Sequence, residues 1–97
     1  MKKIPVLSPG EILLTEFIRP NNLTVYRVAK NAGISHPTLR LIASGKRAIT
    51  AETALRLGLY FGIDAQFWLN LQSDYDLRIA KQKNFAQIEK EVHPLAA

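Results

Sequence analysis

The side chains best suited to chemistry lie between residues 24 and 47. Ser35, His36, Thr38, Arg40 and Ser44, with Pro37 and Leu41 among them, surround a short apolar stripe of Leu39, Ile42 and Ala43. On a helix this spacing buries the stripe and leaves the polar residues outward. The major groove of duplex DNA accepts one α-helix, and each residue type here has a partner on a base edge. Arg bridges guanine O6 and N7, hydroxyls serve several bases, and an apolar side chain packs on the thymine methyl. Arg40 is the first candidate for a base-specific contact. His36 would read a base edge when neutral and favour a phosphate when protonated. A single histidine without a partner in sequence is poor grounds for a metal site, and none is expected.

Phosphate contacts come from helix N-termini and flanking cations, because amide N–H groups and the helix dipole attract anions. Thr24, Tyr26 and Arg27 at the start of one helix, and Lys46 with Arg47 after the next, fit those positions. The charge distribution agrees. Residues 1–50 hold eight Lys/Arg against two acids, a net +6, whereas residues 51–97 hold five against six, a net −1. No acid occurs between Glu16 and Glu52, while Arg19, Arg27, Lys30, Arg40, Lys46 and Arg47 all do. Such a stretch suits a polyanion. Charge alone would sooner describe an ordinary solvated surface, so the spacing carries the argument.

To face outward together, these side chains need short helices packed on one another. Ser8-Pro9-Gly10-Glu11 reads as a capping box with an opening proline, starting a helix that should stop before Pro20. Thr24 caps a second helix carrying Val25, Val28, Ala29 and Ala32 and ending at Gly33; Ser35 caps a third that ends at Gly45. Ala29 is small where these two helices cross, and Gly33 supplies the positive φ of the corner. Val28, Ala32, Ile34, Leu39 and Ile42 then point to a shared core. Thr50 caps a fourth helix with Ala54, Leu55, Leu57, Gly58 and Phe61 inward. Asp64 caps a fifth with Phe67, Trp68, Leu71 and Tyr75 at helical spacing. Residues 81–97 either extend that helix or form a tail. The fold class is all-α, in one domain over residues 8–80 between an N-terminal arm (1–7) and a C-terminal extension (81–97).

The run Pro9-Gly10-Glu11, Val28-Ala29, Gly33-Ile34-Ser35, Leu39, Ile42, Gly45-Lys46-Arg47, Ile49-Thr50-Ala51, Thr53-Ala54-Leu55-Arg56-Leu57 and Phe67-Trp68-Leu69-Asn70-Leu71-Gln72 resembles the HigA antitoxin family, also called virulence-associated protein I. The likeness covers about residues 8–80. Helix-turn-helix spacing is shared by many repressors, whereas the combination of opening, linker and aromatic segment is more restrictive. The Arg19-Pro20-Asn21-Asn22 corner is a departure that touches no binding residue. The resemblance implies a lambda-repressor-like fold of five helices and a homodimer that binds a palindromic operator upstream of its own operon and represses it. It also implies a HigB-like toxin partner, a ribosome-dependent mRNA endonuclease that the antitoxin neutralises. Ser35, His36, Thr38 and Arg40 match the recognition-helix positions, and Phe67, Trp68, Leu71 and Tyr75 match the part usually used in dimer contact.

A dimer also makes physical sense, since one short helix touches few base pairs and a two-fold axis supplies a second half-site about 34 Å away. Phe67 and Trp68 diverge by about 100° on a helix, so they should not both face one neighbour; one is expected in the core and the other near the interface, the alternative being a core role for both. The 97 residues contain no cysteine, which removes disulfides and thiolate zinc sites and fits the reducing cytosol. No apolar run approaches the roughly 18 residues that cross a bilayer, so no membrane association is expected. Three rivals remain. A free-standing phage-type or metabolic repressor would lack a toxin partner, but 17 residues after Ala80 are too few for a small-molecule domain. An RNA or protein interaction module would need exposed rings, which here sit at core spacing. An enzyme would need convergent titratable groups, and neither His36 nor His93 has a carboxylate pair beside it; no cofactor is implied.

Overall fold

The computed structural model describes residues 6–96, all of whose regular elements are helical. Residues 1–5, most of the expected N-terminal arm, lie outside the described residues. Helix α1 opens as a regular turn over Pro9–Ile12, widens to π geometry over Leu13–Ile18 and tightens to 3-10 over Arg19–Asn21. Then follow α2 (Val25–Ala32), α3 (His36–Ala43), α4 (Ala51–Phe61) and α5 (Ala65–Glu91). Among the described residues no helix is long and apolar enough to cross a membrane.

The capping signals act as the sequence suggests. Both bonds of the Ser8–Glu11 box form at 3.2 Å, and Thr24, Ser35, Thr50 and Asp64 each accept a backbone N–H of the helix they open. Three helices end alike. Asn22, Gly33 and Gly62 turn left-handed, and the apolar residue after each (Leu23, Ile34, Ile63) returns its N–H to the carbonyl five residues back at 2.9–3.0 Å. That closure satisfies carbonyls the helix leaves open and turns an apolar side chain back onto the body.

Two expectations need correction. Helix α1 does not stop before Pro20: Arg19 is helical at φ −62°, ψ −47°, and the chain turns only at Asn22. Proline disfavours helix at the preceding residue because its ring crowds the turn before it. Here the wide π turn relieves that crowding, the Arg19 N–H reaches back to Leu14 O, and Asn21 Nδ2 donates to Phe17 O at 2.7 Å. Leu55 is 59% exposed instead of inward. The buried face of α4 is Ala54, Leu57 and Gly58, one step of about 100° away.

The core joins all five helices through Leu13, Ile18, Val28, Ala29, Leu39, Ile42, Leu57 and Trp68. An aromatic group crosses three of them. Phe17 of α1 meets Phe61 of α4 and both Phe67 and Trp68 of α5, at centroid distances of 5.7, 6.0 and 4.8 Å. The adjacent rings of Phe67 and Trp68 therefore do share a neighbour. Their side chains lean together, 5.2 Å apart and nearly perpendicular, so the divergence of their Cα–Cβ bonds is recovered further out. Helix α5 runs unbroken across residue 80, and beyond it Phe85, Ile88 and Val92 remain about half exposed.

Candidate nucleic-acid interface

Helices α2 and α3 meet at the Gly33 corner, where φ 71°, ψ 28° is a conformation that β-carbon sterics make costly for other residues. Val28 and Ala29 on one side and Leu39 and Ile42 on the other are fully buried, which fixes the roll of α3 about its axis. The opposite side of α3 consequently faces out. Ser35, Pro37, Arg40, Leu41 and Ser44 are exposed, and His36 and Thr38 are half-buried.

Within that face some groups are already engaged. Ser35 Oγ accepts the Thr38 N–H at 3.2 Å and donates to Thr38 Oγ1 at 2.7 Å, while Ser44 Oγ donates to Leu41 O at 3.0 Å. The hydroxyls thus keep helix and cap in register and retain limited freedom for an outside partner. The His36 ring stands edge to face on Tyr26 at 5.3 Å, which joins the starts of α2 and α3. Thr24, Tyr26 and Arg27 share one shallow depression with Lys30 and Asn31. The Thr24 side chain accepts the Arg27 N–H at 3.1 Å.

After α3 the chain passes through Gly45 at φ 80°, and the Lys46 N–H returns to Leu41 O at 2.9 Å. Lys46 and Arg47 are exposed, and Arg47 Nη1 reaches Thr38 Oγ1 at 3.4 Å. The linker is thereby brought beside the first turn of α3, a proximity invisible in the linear order. Among the described residues the single ion pair is Arg56 to Glu52, at 3.6 Å. Arg19, Arg27, Lys30, Arg40, Lys46 and Arg47 accordingly have no carboxylate of the described residues within ion-pair distance, and their field can act on an external polyanion.

The expected dimer residues separate. Trp68 is completely buried and has no surface to offer a second copy, a correction whose cause is the aromatic group around it. Phe67 is 38% exposed, and Leu71 and Tyr75 are half-buried. Three residues to which sequence reasoning attached no role also belong to the framework. Gly10 lets α1 lie against the Ile42 carbonyl; Arg56 Nη1 donates to Ala32 O at the end of α2, at 3.5 Å; and Gln72 Oε1 accepts the Ile49 N–H at 2.8 Å. All three stand inside motif segments, so a signal existed, but its physical reason lies in contacts 23 or more positions away.

A family model described as helix-turn-helix matches residues 14–68. The structure of Pseudomonas aeruginosa antitoxin HigA with the higBA promoter superposes with a TM-score of 0.87 at 44% identity, covering 92% of this chain and 97% of that one. The chain belongs to the HigA family of helix-turn-helix antitoxins. It is also 46% identical over 80 residues to virulence-associated protein I of Dichelobacter nodosus, spanning 82% of this chain and 74% of that one. A further Pseudomonas aeruginosa structure, solved in complex with its 18-bp operator DNA, matches with a TM-score of 0.90 at 42% identity over 98% of this chain and all of the other. HigA proteins are DNA-binding regulators and antitoxins, which is not a class of enzymes. The family match extends through the turn, α3, the linker and the start of α5, so the two-helix unit and the cations after it belong to the matched segment.

Proposed function

We propose that this HigA-family chain is the antitoxin of a HigBA-type module, a homodimer that binds the palindromic operator of its own operon and neutralises a HigB-like mRNA endonuclease. It acts in the cytoplasm and carries no catalysis itself. One observation supports this best: α3 presents Arg40 and Ser44 outward beside cations that have no carboxylate partner among the described residues. In this reading Ser35, His36, Pro37, Thr38, Arg40, Leu41 and Ser44 approach base edges. Thr24, Tyr26, Arg27, Lys46 and Arg47 approach phosphates. The body over residues 8–80 carries DNA binding and dimer contact, the latter through Phe67, Leu71 and Tyr75 without Trp68. Residues 1–7 and 81–97 are an arm and an extension.

Gel shift of the purified protein on its own promoter across a salt series tests the DNA half of this reading, and co-purification with the neighbouring gene product tests the toxin half. Failure to prefer the promoter over scrambled duplex would sink the first, and failure to capture the neighbour would sink the second. Arg40→Ala should cost about 1–3 kcal/mol in operator affinity and relax discrimination at one base position per half-site. A uniform loss on every sequence would instead make Arg40 a phosphate contact.

The joint change Lys46→Ala with Arg47→Ala should weaken binding on operator and scrambled DNA alike. Each lost phosphate contact removes about 0.9 from the slope of log affinity against log salt, so the pair should flatten it by roughly 1.8 per protomer. A slope equal to that of the unaltered protein would remove both residues from the interface.

A further inference from the structure

The linker after α3 is the one part of the proposed interface with no helix to hold it. Its start is fixed by the Lys46 N–H on Leu41 O at 2.9 Å, and its end by the Ile49 N–H on Gln72 Oε1 at 2.8 Å. Ile49 is 3% exposed, so this amide lies where water is scarce and an acceptor must come from the protein. Gln72 supplies it from α5, 23 positions along the chain.

The carboxamide is held at both ends. Its Nε2 donates to Asp76 Oδ1 at 2.9 Å, one turn further along α5. A carboxylate accepts only and an amide N–H donates only, so these two partners admit one orientation of the Gln72 head group, with oxygen toward the linker. Asp76 and Gln72 line the same cleft as Lys46, Arg47 and Ala48. Yet Asp76 forms no ion pair with either cation, and its engaged oxygen is spent on the carboxamide.

We propose that Gln72 is a positioning residue for DNA binding: from α5 it sets the path of the linker so that Lys46 and Arg47 meet successive phosphates. This rests on the operator-binding reading above. The two backbone pins lie only three residues apart, so the main chain carrying Lys46, Arg47 and Ala48 has little freedom while both hold. Without the carboxamide oxygen, the buried Ile49 amide must seek another acceptor, and the chain on its N-terminal side moves with it. The cations then reach the phosphates only after the linker is ordered again, and binding weakens by that ordering cost. The base-reading face of α3, fixed by its own buried side, keeps its preferences.

The test compares the full chain with Gln72→Met, which keeps the length and apolar stem but lacks the acceptor, and Gln72→Asn, polar and one methylene short. Each is assayed on operator and scrambled duplex across a salt series, in the unaltered background and in Lys46→Ala/Arg47→Ala. Thermal melting identifies a variant that is unfolded, and Gln72→Asn then carries the comparison. The expected loss on both duplexes is roughly three- to tenfold, the scale of one net hydrogen bond. The salt slope should stay close to that of the unaltered protein, because the same phosphates are neutralised once the linker is ordered, and the operator preference should persist. In the double-alanine background the Gln72 change should have no further effect. Equal fold-losses in both backgrounds would mean a general structural role and overturn the proposal, as would an unchanged affinity. If the unaltered protein itself does not bind its operator, the functional reading fails first and takes this one with it.

Discussion

Trp68→Ala should lower folding stability by about 3–5 kcal/mol, a large part of the 5–15 kcal/mol that a domain of this kind possesses. The indole is fully buried and packs against Phe17, Phe61 and Phe67. Its removal leaves a void bounded by rings from α1, α4 and α5, none of which can collapse without moving its helix. Trp68→Phe should cost distinctly less. The indole Nε1–H has no hydrogen-bond partner among the described residues, so a phenyl ring loses contact area but also removes a buried donor left unpaired there. Urea denaturation of the three proteins measures both steps. A Trp68→Ala loss below about 1 kcal/mol would mean that the aromatic group is not a packed unit. The same experiment bears on assembly: dilution of a stable Trp68→Phe variant should give the dimer constant of the unaltered chain, because this side chain has no exposed surface.

Gly10→Ala should be as damaging for a different reason. A β-carbon built there overlaps the carbonyl carbon and oxygen of Ile42, so the obstruction is backbone and not a side chain that can swing away. Overpacking of a core usually costs about 1–3 kcal/mol; with main chain on both sides the expected loss is at or above the upper end. Because the obstructing carbonyl belongs to α3, relief of the clash also displaces the proposed DNA-reading helix. Operator affinity should then fall even at temperatures where the variant is folded. Gly62→Ala is the control. Its φ of 71° puts strain on any L side chain, but no atom of the described residues lies within 4 Å of the added carbon. Its cost should be confined to the roughly 1–2 kcal/mol of a left-handed residue, with operator binding intact below the melting temperature. Equal melting shifts for the two glycine variants would mean that the α1–α3 contact is looser than its geometry.

Much of this architecture is local, and local features are visible in the order of residues. Ser8, Thr24, Ser35, Thr50 and Asp64 cap helices because a hydroxyl or carboxylate reaches an N–H two or three positions away, whatever the rest of the chain does. Gly33 and Gly62 end helices for an equally local reason. The division of α3 into a buried stripe and an outward face follows from a period of 3.6, and it is the same face that the charge distribution marks as suited to DNA.

Where the packed chain departs from what a residue's own preference dictates, a neighbouring turn or a distant contact outweighs that preference. Pro20 bars a regular helix before it, but a π turn lets α1 continue to Asn21. Leu55 belongs to an apolar run, but the side of α4 that meets α2 and α5 lies one step away. Trp68 and Phe67 stand on diverging bonds and still converge on Phe17, a residue 50 positions earlier.

The linear order of residues determined the number of helices, nearly all their ends and the character of the α3 face, since each depends on groups within one or two turns of each other. Only the packed chain decided that Trp68 belongs to the interior, that α1 touches α3 through Gly10, and that Gln72 holds the linker bearing Lys46 and Arg47. Those outcomes depend on which surfaces meet once the helices are stacked. Burial and long-range hydrogen bonds are properties of that meeting, and no short stretch of sequence contains both partners.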